Sequence, residues 1–499
     1  MLTRLQVSGF KNLVDVDVRF GPFTCVAGAN GVGKSNLLDA IAFLSALAER
    51  PLVDAALSVR DEERRTGDIG SIFHRVGERQ DTRMSLVAEM LIPQSGVDDL
   101  GQVANATTSF LRYTLELAYK ADELHRGSIA GLEILREELT HIRNKDARKE
   151  LAFPVDHSWY ETAISGRRWT RHYISTKEEP NGARVINVHQ DGGSSGKPRP
   201  LLAANLPRTA ISAANAAESP TATLVKREMQ SWKRLQLEPS ALRRPDPLIA
   251  PSSLGSDGSH LPATLYRLAS GAASGAEKGR IYATIGNRLS QLIDDVSELY
   301  VDKDEKRELL TVKVRGKDGT GHPARSLSDG TLRFLALATL ELDPAFQGVL
   351  CLEEPENGIH PARIPAILQL LQDIATDVSE PVGPDNPLRQ VIVNTHSPSV
   401  VAQVPEQSLL FANTAAVKDG NETYNKLVFS CMPSNWRLDV QNIPTISKGE
   451  LLSYLSPVTR ASERDEETQV TPVTKRVIDN SDIQLLMFGS EDDAIHPAN

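Results

Sequence analysis

FTCVAGANGVGKSNLLDAIAFL, residues 23–44, is the stretch on which the fold turns. A short apolar run rich in β-branched and aromatic side chains reads as a buried strand. It ends in Gly28-Ala-Asn-Gly-Val-Gly-Lys-Ser35, which fits G-x-x-x-x-G-K-[ST], and passes at once into apolar residues at helical spacing. Strand, glycine-rich turn and helix in that order make a phosphate cradle. The glycines let backbone N–H groups point inward, and the helix N-terminus adds positive potential. Asn30, Gly31, Gly33, Lys34, Ser35 and Asn36 are therefore the expected nucleotide-binding residues. Lys34 is expected on the β- and γ-phosphates of ATP, and the Ser35 hydroxyl on Mg2+.

A second stretch needs the first to make sense. GVLCLEEPENGIHP, residues 348–361, is an apolar strand that ends abruptly in two acids. Ionised carboxylates leave water at a cost of several kcal/mol unless something compensates them. Beside a phosphate loop, the compensation is magnesium and a polarised water. Glu353 at the strand tip is then a metal residue together with Ser35, and Glu354 a general base for the water that attacks the γ-phosphate. On its own such a Glu-Glu pair reads as solvent-facing decoration. Two further elements follow the same logic. Leu327-Ser328-Asp329-Gly330 opens an apolar helix, which alone is ordinary capping chemistry. Val391–Thr395 is a strand running into His396, whose imidazole is within reach of a γ-phosphate in this arrangement.

Phosphate loop, long gap, LSDG, acidic strand and His resemble, in that order, the ABC-type ATPase heads of the SMC and RecF kind. FKNL (Phe10 to Leu13), GANGVGKSN, LSDGTLRFLAL, LEEPENGIHP and NTHSPSVV stand where that family has them. The resemblance is closest to bacterial AAA-type ATPases of phage-defence operons, such as the Septu and retron-associated ATPases and the ATPase half of OLD-family nucleases. It covers roughly residues 1–120 and 250–430. It implies a P-loop head with a mixed sheet flanked by helices, and ATP sandwiched between two subunits. Ser328, Asp329 and Gly330 would act in trans on the partner's nucleotide, so a homodimer or higher oligomer is expected. The resemblance also expects Asp where Glu353 stands, one methylene longer, and many transporters carry Gly at the position of Asp329. A glutamine loop is expected as well; Gln80 is a weak candidate for it.

The rest of the chain sets the boundaries. Its 499 residues exceed one ordinary domain. The expected division is an N-terminal lobe (1–120), an insertion (121–250), a C-terminal lobe (251–430) and an extension with a loose acidic tail (431–499). The insertion reads as mostly helical, with GLEILREELTHI as its clearest helix. It carries 20 basic and 16 acidic residues within a chain of net charge -10. Within it, Arg167, Arg168, Trp169 and Arg171 read either as a charged strand face or as a patch for DNA or RNA, contacting phosphates and stacking on bases. Three scattered cysteines exclude a disulfide framework or zinc site, and no apolar run approaches the length of a membrane span. A cytoplasmic protein is expected, without a membrane partner. No D-x-D follows His396, so an in-chain toprim nuclease is not expected. An ATPase site with no second catalytic site suggests a separate effector, a nuclease or toxin, under the control of the nucleotide state. A RecF-like DNA-repair ATPase is the alternative.

Overall fold

The computed structural model describes residues 1–59, 68–120, 131–166, 172–191, 196–271, 275–293, 296–420 and 422–455. Met1–Ser447 forms one compact unit. Of the second unit, Lys448–Asn499, the described part is the helix Lys448–Leu455. The expected acidic tail beyond residue 460 lies outside the described residues, as do Arg167, Arg168, Trp169 and Arg171.

A six-stranded mixed sheet carries the motifs. Its order is Lys233–Leu235, Gly348–Glu353, Arg389–Thr395, Phe23–Ala27, Leu409–Asp419, Glu422–Ser430. The first five strands run parallel, and the last closes a hairpin. The strands from Gly348, Arg389 and Phe23 are buried nearly throughout, as parallel strands covered on both faces must be. Their carboxyl ends gather at one edge, where ligands bind in open α/β sheets.

Against this sheet packs the helix Lys34–Leu47, and over the helix lies an eight-stranded sheet, antiparallel throughout. One core cluster joins all three layers. Val26, Cys351 and Ile392 come from the first sheet, Leu37, Leu38, Ile41 and Leu44 from the helix, and Leu5, Leu86 and Leu115 from the second sheet. A helix covered on both sides must be apolar on most of its faces, and LLDAIAFLSAL is. Each fully buried Leu or Ile side chain stabilises this stack by about 1.5–3 kcal/mol.

The insertion corrects its sequence reading. Gly131–His141 is a strand, not a helix, paired antiparallel with Phe110–Lys120. The segment 121–250 supplies four neighbouring strands of the eight-stranded sheet, and its helices are short. Two physical causes misled the reading. Glu, Leu and Arg are strong helix formers, a preference that tertiary pairing overrides. A register shift between Ile134 and Arg136 also places buried Ile134 and Glu137 three residues apart, which mimics helical spacing.

Candidate functional site

The phosphate loop leaves its strand at Gly28, whose N–H donates to the Thr395 carbonyl (3.2 Å). It enters the helix at Gly33, in the left-handed region with φ 104. Any Cβ at Gly33 would strike the Asn12 amide, so glycine is needed there. Asn12 braces the loop in return: its Nδ2 donates to the Val32 carbonyl (2.9 Å) and its Oδ1 accepts from Asn36 Nδ2 (2.7 Å). The FKNL motif is thus a clip on the phosphate loop. Ala29, Asn30 and Gly31 are exposed, while Lys34 is buried and its Nζ donates to the carbonyls of Gly28 (2.7 Å) and Ala29 (2.9 Å). Burial holds the Lys34 ammonium below its ordinary pKa, against the opposing charges of Glu354, Glu353 and Glu356. The loop thus presents one buried ammonium facing three carboxylates.

Ser35 and Glu353 meet, as the spacing of the motifs requires. The Ser35 hydroxyl donates to Glu353 Oε2 at 2.9 Å. Hydroxyl and carboxylate oxygens are what a hard divalent cation such as magnesium takes, so the donor set fits. Glu353 Oε1 is engaged by Arg234 Nη2 at 2.5 Å. The strand bearing Arg234 pairs in parallel with the acidic strand, Leu235 opposite Leu352. Gln236, exposed and one residue beyond that strand, donates its N–H to the Ser256 carbonyl (2.8 Å). Gln80 sits in the small hairpin Arg75–Gln80 and donates to the Gly70 carbonyl (2.7 Å).

Glu354 is held in an unusual conformation. Its φ is 47, uncommon for a residue with a side chain and doubly so before proline. Backbone strain of this kind costs about 1–3 kcal/mol and persists only where the surroundings impose it. Here the Glu354 N–H donates to the Asn394 carbonyl (3.0 Å), and its carboxylate is gripped on both sides. Asn357 Nδ2 donates to Oε2 at 2.8 Å, and His396 Nδ1 lies 2.6 Å from Oε1. An ionised carboxylate only accepts, so Nδ1 carries the proton and Nε2 faces away from the pair. Behind it Glu356 is buried, with one oxygen accepting from the Thr395 hydroxyl. Its other oxygen, Oε2, has no partner among the described residues. Burial, with Glu354 adding to it, pushes the Glu356 carboxyl up despite the Thr395 bond.

The signature turn is built as a helix start. Ser328 caps Asp329–Leu342, its Oγ accepting from Thr331 N–H (3.2 Å), and Arg243 binds the Asp329 carboxylate and the Leu327 carbonyl. Ser328 and Asp329 are exposed. Gly330 is buried against the Gly358 carbonyl, with no room for a Cβ, and Arg333 Nη1 donates to the Asn357 carbonyl (2.8 Å). The turn is thereby joined to the loop that also holds Glu354. Tyr173, beside the basic patch, is fully buried and hydrogen-bonded to Thr107 (2.6 Å) and Thr108 (2.9 Å), so it belongs to the core.

Sequence reasoning missed Asn12, Arg234 and Glu356. Glu356 and Asn12 lie inside motifs already singled out. Arg234 lies in SWKRLQLEPS, where only strand register shows its place.

Among the described residues no helix is long and apolar enough to cross a membrane, and no cluster of three or more His, Cys, Asp or Glu suits a metal ion. A 41-residue stretch is 51% identical to the OLD nuclease of Thermus scotoductus and covers 8% of each chain. A 46-residue stretch is 46% identical to the DNA replication and repair protein RecF of Porphyromonas gingivalis, 9% of this chain and 13% of that one. The matches thus span about a tenth of the relatives' length. Among solved structures, an SMC head bound to the C-winged helix domain of ScpA aligns with a TM-score of 0.44 at 14% identity. That alignment covers 86% of this chain and 98% of that one. The model of the family AAA_21, described as "AAA domain, putative AbiEii toxin, Type IV TA system", matches residues 23–98 and 161–402. With more than half of its length so matched, the chain belongs to the AAA_21 family of AAA domains.

Proposed function

We propose that the protein binds ATP with magnesium between two copies of itself and hydrolyses it, and that its nucleotide state governs a separate effector, a nuclease or toxin, in defence against phage. The observation that carries the enzymatic part is the Glu354 carboxylate, oriented between Asn357 and His396 at the edge where the Ser35–Glu353 pair also lies. A carboxylate held by two donors and a strained backbone is positioned for proton abstraction from water. Magnesium, when bound through Ser35 and Glu353, supplies charge neutralisation of the phosphates. Lys34 and the loop N–H groups hold the phosphates, Glu354 accepts the proton of the attacking water, and His396 keeps the carboxylate aimed.

The exposed Ser328–Asp329 turn supports action in trans, because a capped helix start with its polar groups outward suits a phosphate on another copy. The toxin–antitoxin context named in the family description, and the short similarity to an OLD nuclease, support a role in damaging or defensive chemistry. Glu354→Gln is the test. Turnover is expected to fall by about 10²–10⁴ while ATP binding persists, and undiminished hydrolysis would refute the assignment. A locus carrying Glu354→Gln is expected to lose protection against phage; full protection would remove the defence reading.

A further inference from the structure

Arg234 has no part in the scheme above, yet it reaches its centre. Its Nη2 donates to Glu353 Oε1 at 2.5 Å and its Nη1 to Asp39 Oδ1 at 2.6 Å. Asp39 is fully buried on the helix that follows the phosphate loop, and Lys11 Nζ binds its other oxygen at 2.6 Å. The Arg234 side chain is 15% exposed, and its Nε has no acceptor among the described residues. Arg234 therefore forgoes one hydrogen bond in order to span two acids. Lys11 already compensates Asp39, so the charge left for Arg234 to balance is that of Glu353.

We propose that Arg234 is a positioning residue that stands in for the metal's charge at Glu353 and so makes metal entry depend on nucleotide. This rests on the ATPase reading and extends it. Of the two Glu353 oxygens, one is held by Arg234 and the other accepts from Ser35, so in this state neither faces a cation unoccupied. The guanidinium brings a full positive charge to the group that would bind magnesium, and like charges in a partly buried site repel. Free divalent cations are accordingly disfavoured. The negative charge of a bound triphosphate offsets that repulsion and admits the metal. Oε1 stays with Arg234, which leaves Oε2 and the Ser35 hydroxyl as the metal-facing pair. The greater reach of Glu353, where the family resemblance calls for Asp, suits a side chain shared between an arginine on one strand and a serine on the helix.

The test uses the full chain and two titrations. Mn2+ alone, without nucleotide, is titrated against wild type and Arg234→Gln, with free Mn2+ read from its paramagnetic resonance signal. Arg234→Gln leaves Asp39 paired with Lys11 and takes the guanidinium away from Glu353, and its Mn2+ affinity is expected to rise about tenfold or more. Arg234→Lys keeps the charge but reaches one carboxylate at a time, and is expected between the two. Mn2+ affinity equal to or weaker than wild type in both variants would overturn the proposal, because a merely structural arginine does not repel a cation. Binding of a fluorescent ATP analogue in excess Mg2+ separates the two levels of the argument. Failure of wild type to bind it would strike the ATPase reading, and the Mn2+ comparison would still judge Arg234.

Discussion

A buried glutamate in the eight-stranded sheet and three glutamates at the edge of the mixed sheet are held in different ways. In the eight-stranded sheet, Glu137 is fully buried, and both its oxygens are occupied. Ala210 N–H donates to Oε2 (2.7 Å), while Ile211 N–H (2.9 Å) and the Tyr113 hydroxyl (3.1 Å) donate to Oε1. At the edge of the mixed sheet, Glu353 leans on an arginine, Glu354 sits on strained backbone, and Glu356 leaves an oxygen without a partner. The first arrangement is a closed one, in which a carboxylate stitches a strand to the turn at Ala210–Ile211. The second is open, with charges held in place but not used up. Groups so arranged in a cleft mark a functional site, because their interactions are completed by something else.

Lesions at the two places should have opposite consequences. Glu354→Gln is expected to cost catalysis about 10²–10⁴ and to change the unfolding temperature little, since its partners stay solvated. Glu137→Ala is expected to do the reverse. It leaves two buried N–H groups and a tyrosine hydroxyl unpaired and should lower stability by about 3 kcal/mol in urea unfolding. If Glu137→Ala abolished turnover in protein that remained folded, the division between closed and open carboxylates would fail.

A smaller effect concerns pH. Burial pushes the Glu137 carboxyl up to about 6, outweighing the bonds from Ala210, Ile211 and Tyr113. A pKa raised by folding means that the folded state prefers the protonated acid. The associated stability is full below the unfolded pKa of 4.5 and is lost as pH rises through about 6. The stability difference between wild type and Glu137→Gln should therefore shrink by about 2 kcal/mol across that window. A difference that is flat with pH would show that Glu137 is not desolvated as described.

What the sequence disclosed follows the same line. The phosphate loop, acidic strand and histidine strand were legible because each is a local word, and a strand order that brings their ends together was all that remained to find. The signature turn could be read as a helix start from Ser328 and Gly330, but its tight packing against Gly358 could not. Asn12 and Arg234 act through register and tertiary contact, which no local pattern records. Gly131–His141 was misread for a physical reason: a bulge gave strand residues a helical spacing, and good helix formers filled them.

The central claim is that each nucleotide is served by two copies, the phosphate loop of one and the Ser328 turn of the other. Mixing Lys34→Ala protein with Ser328→Arg protein tests it directly. Each variant alone should be inactive. In the mixed dimer one site carries both lesions and the other carries neither, so hydrolysis should reappear on mixing. A mixture as inactive as its components, with mixed dimers shown to form, would contradict the account.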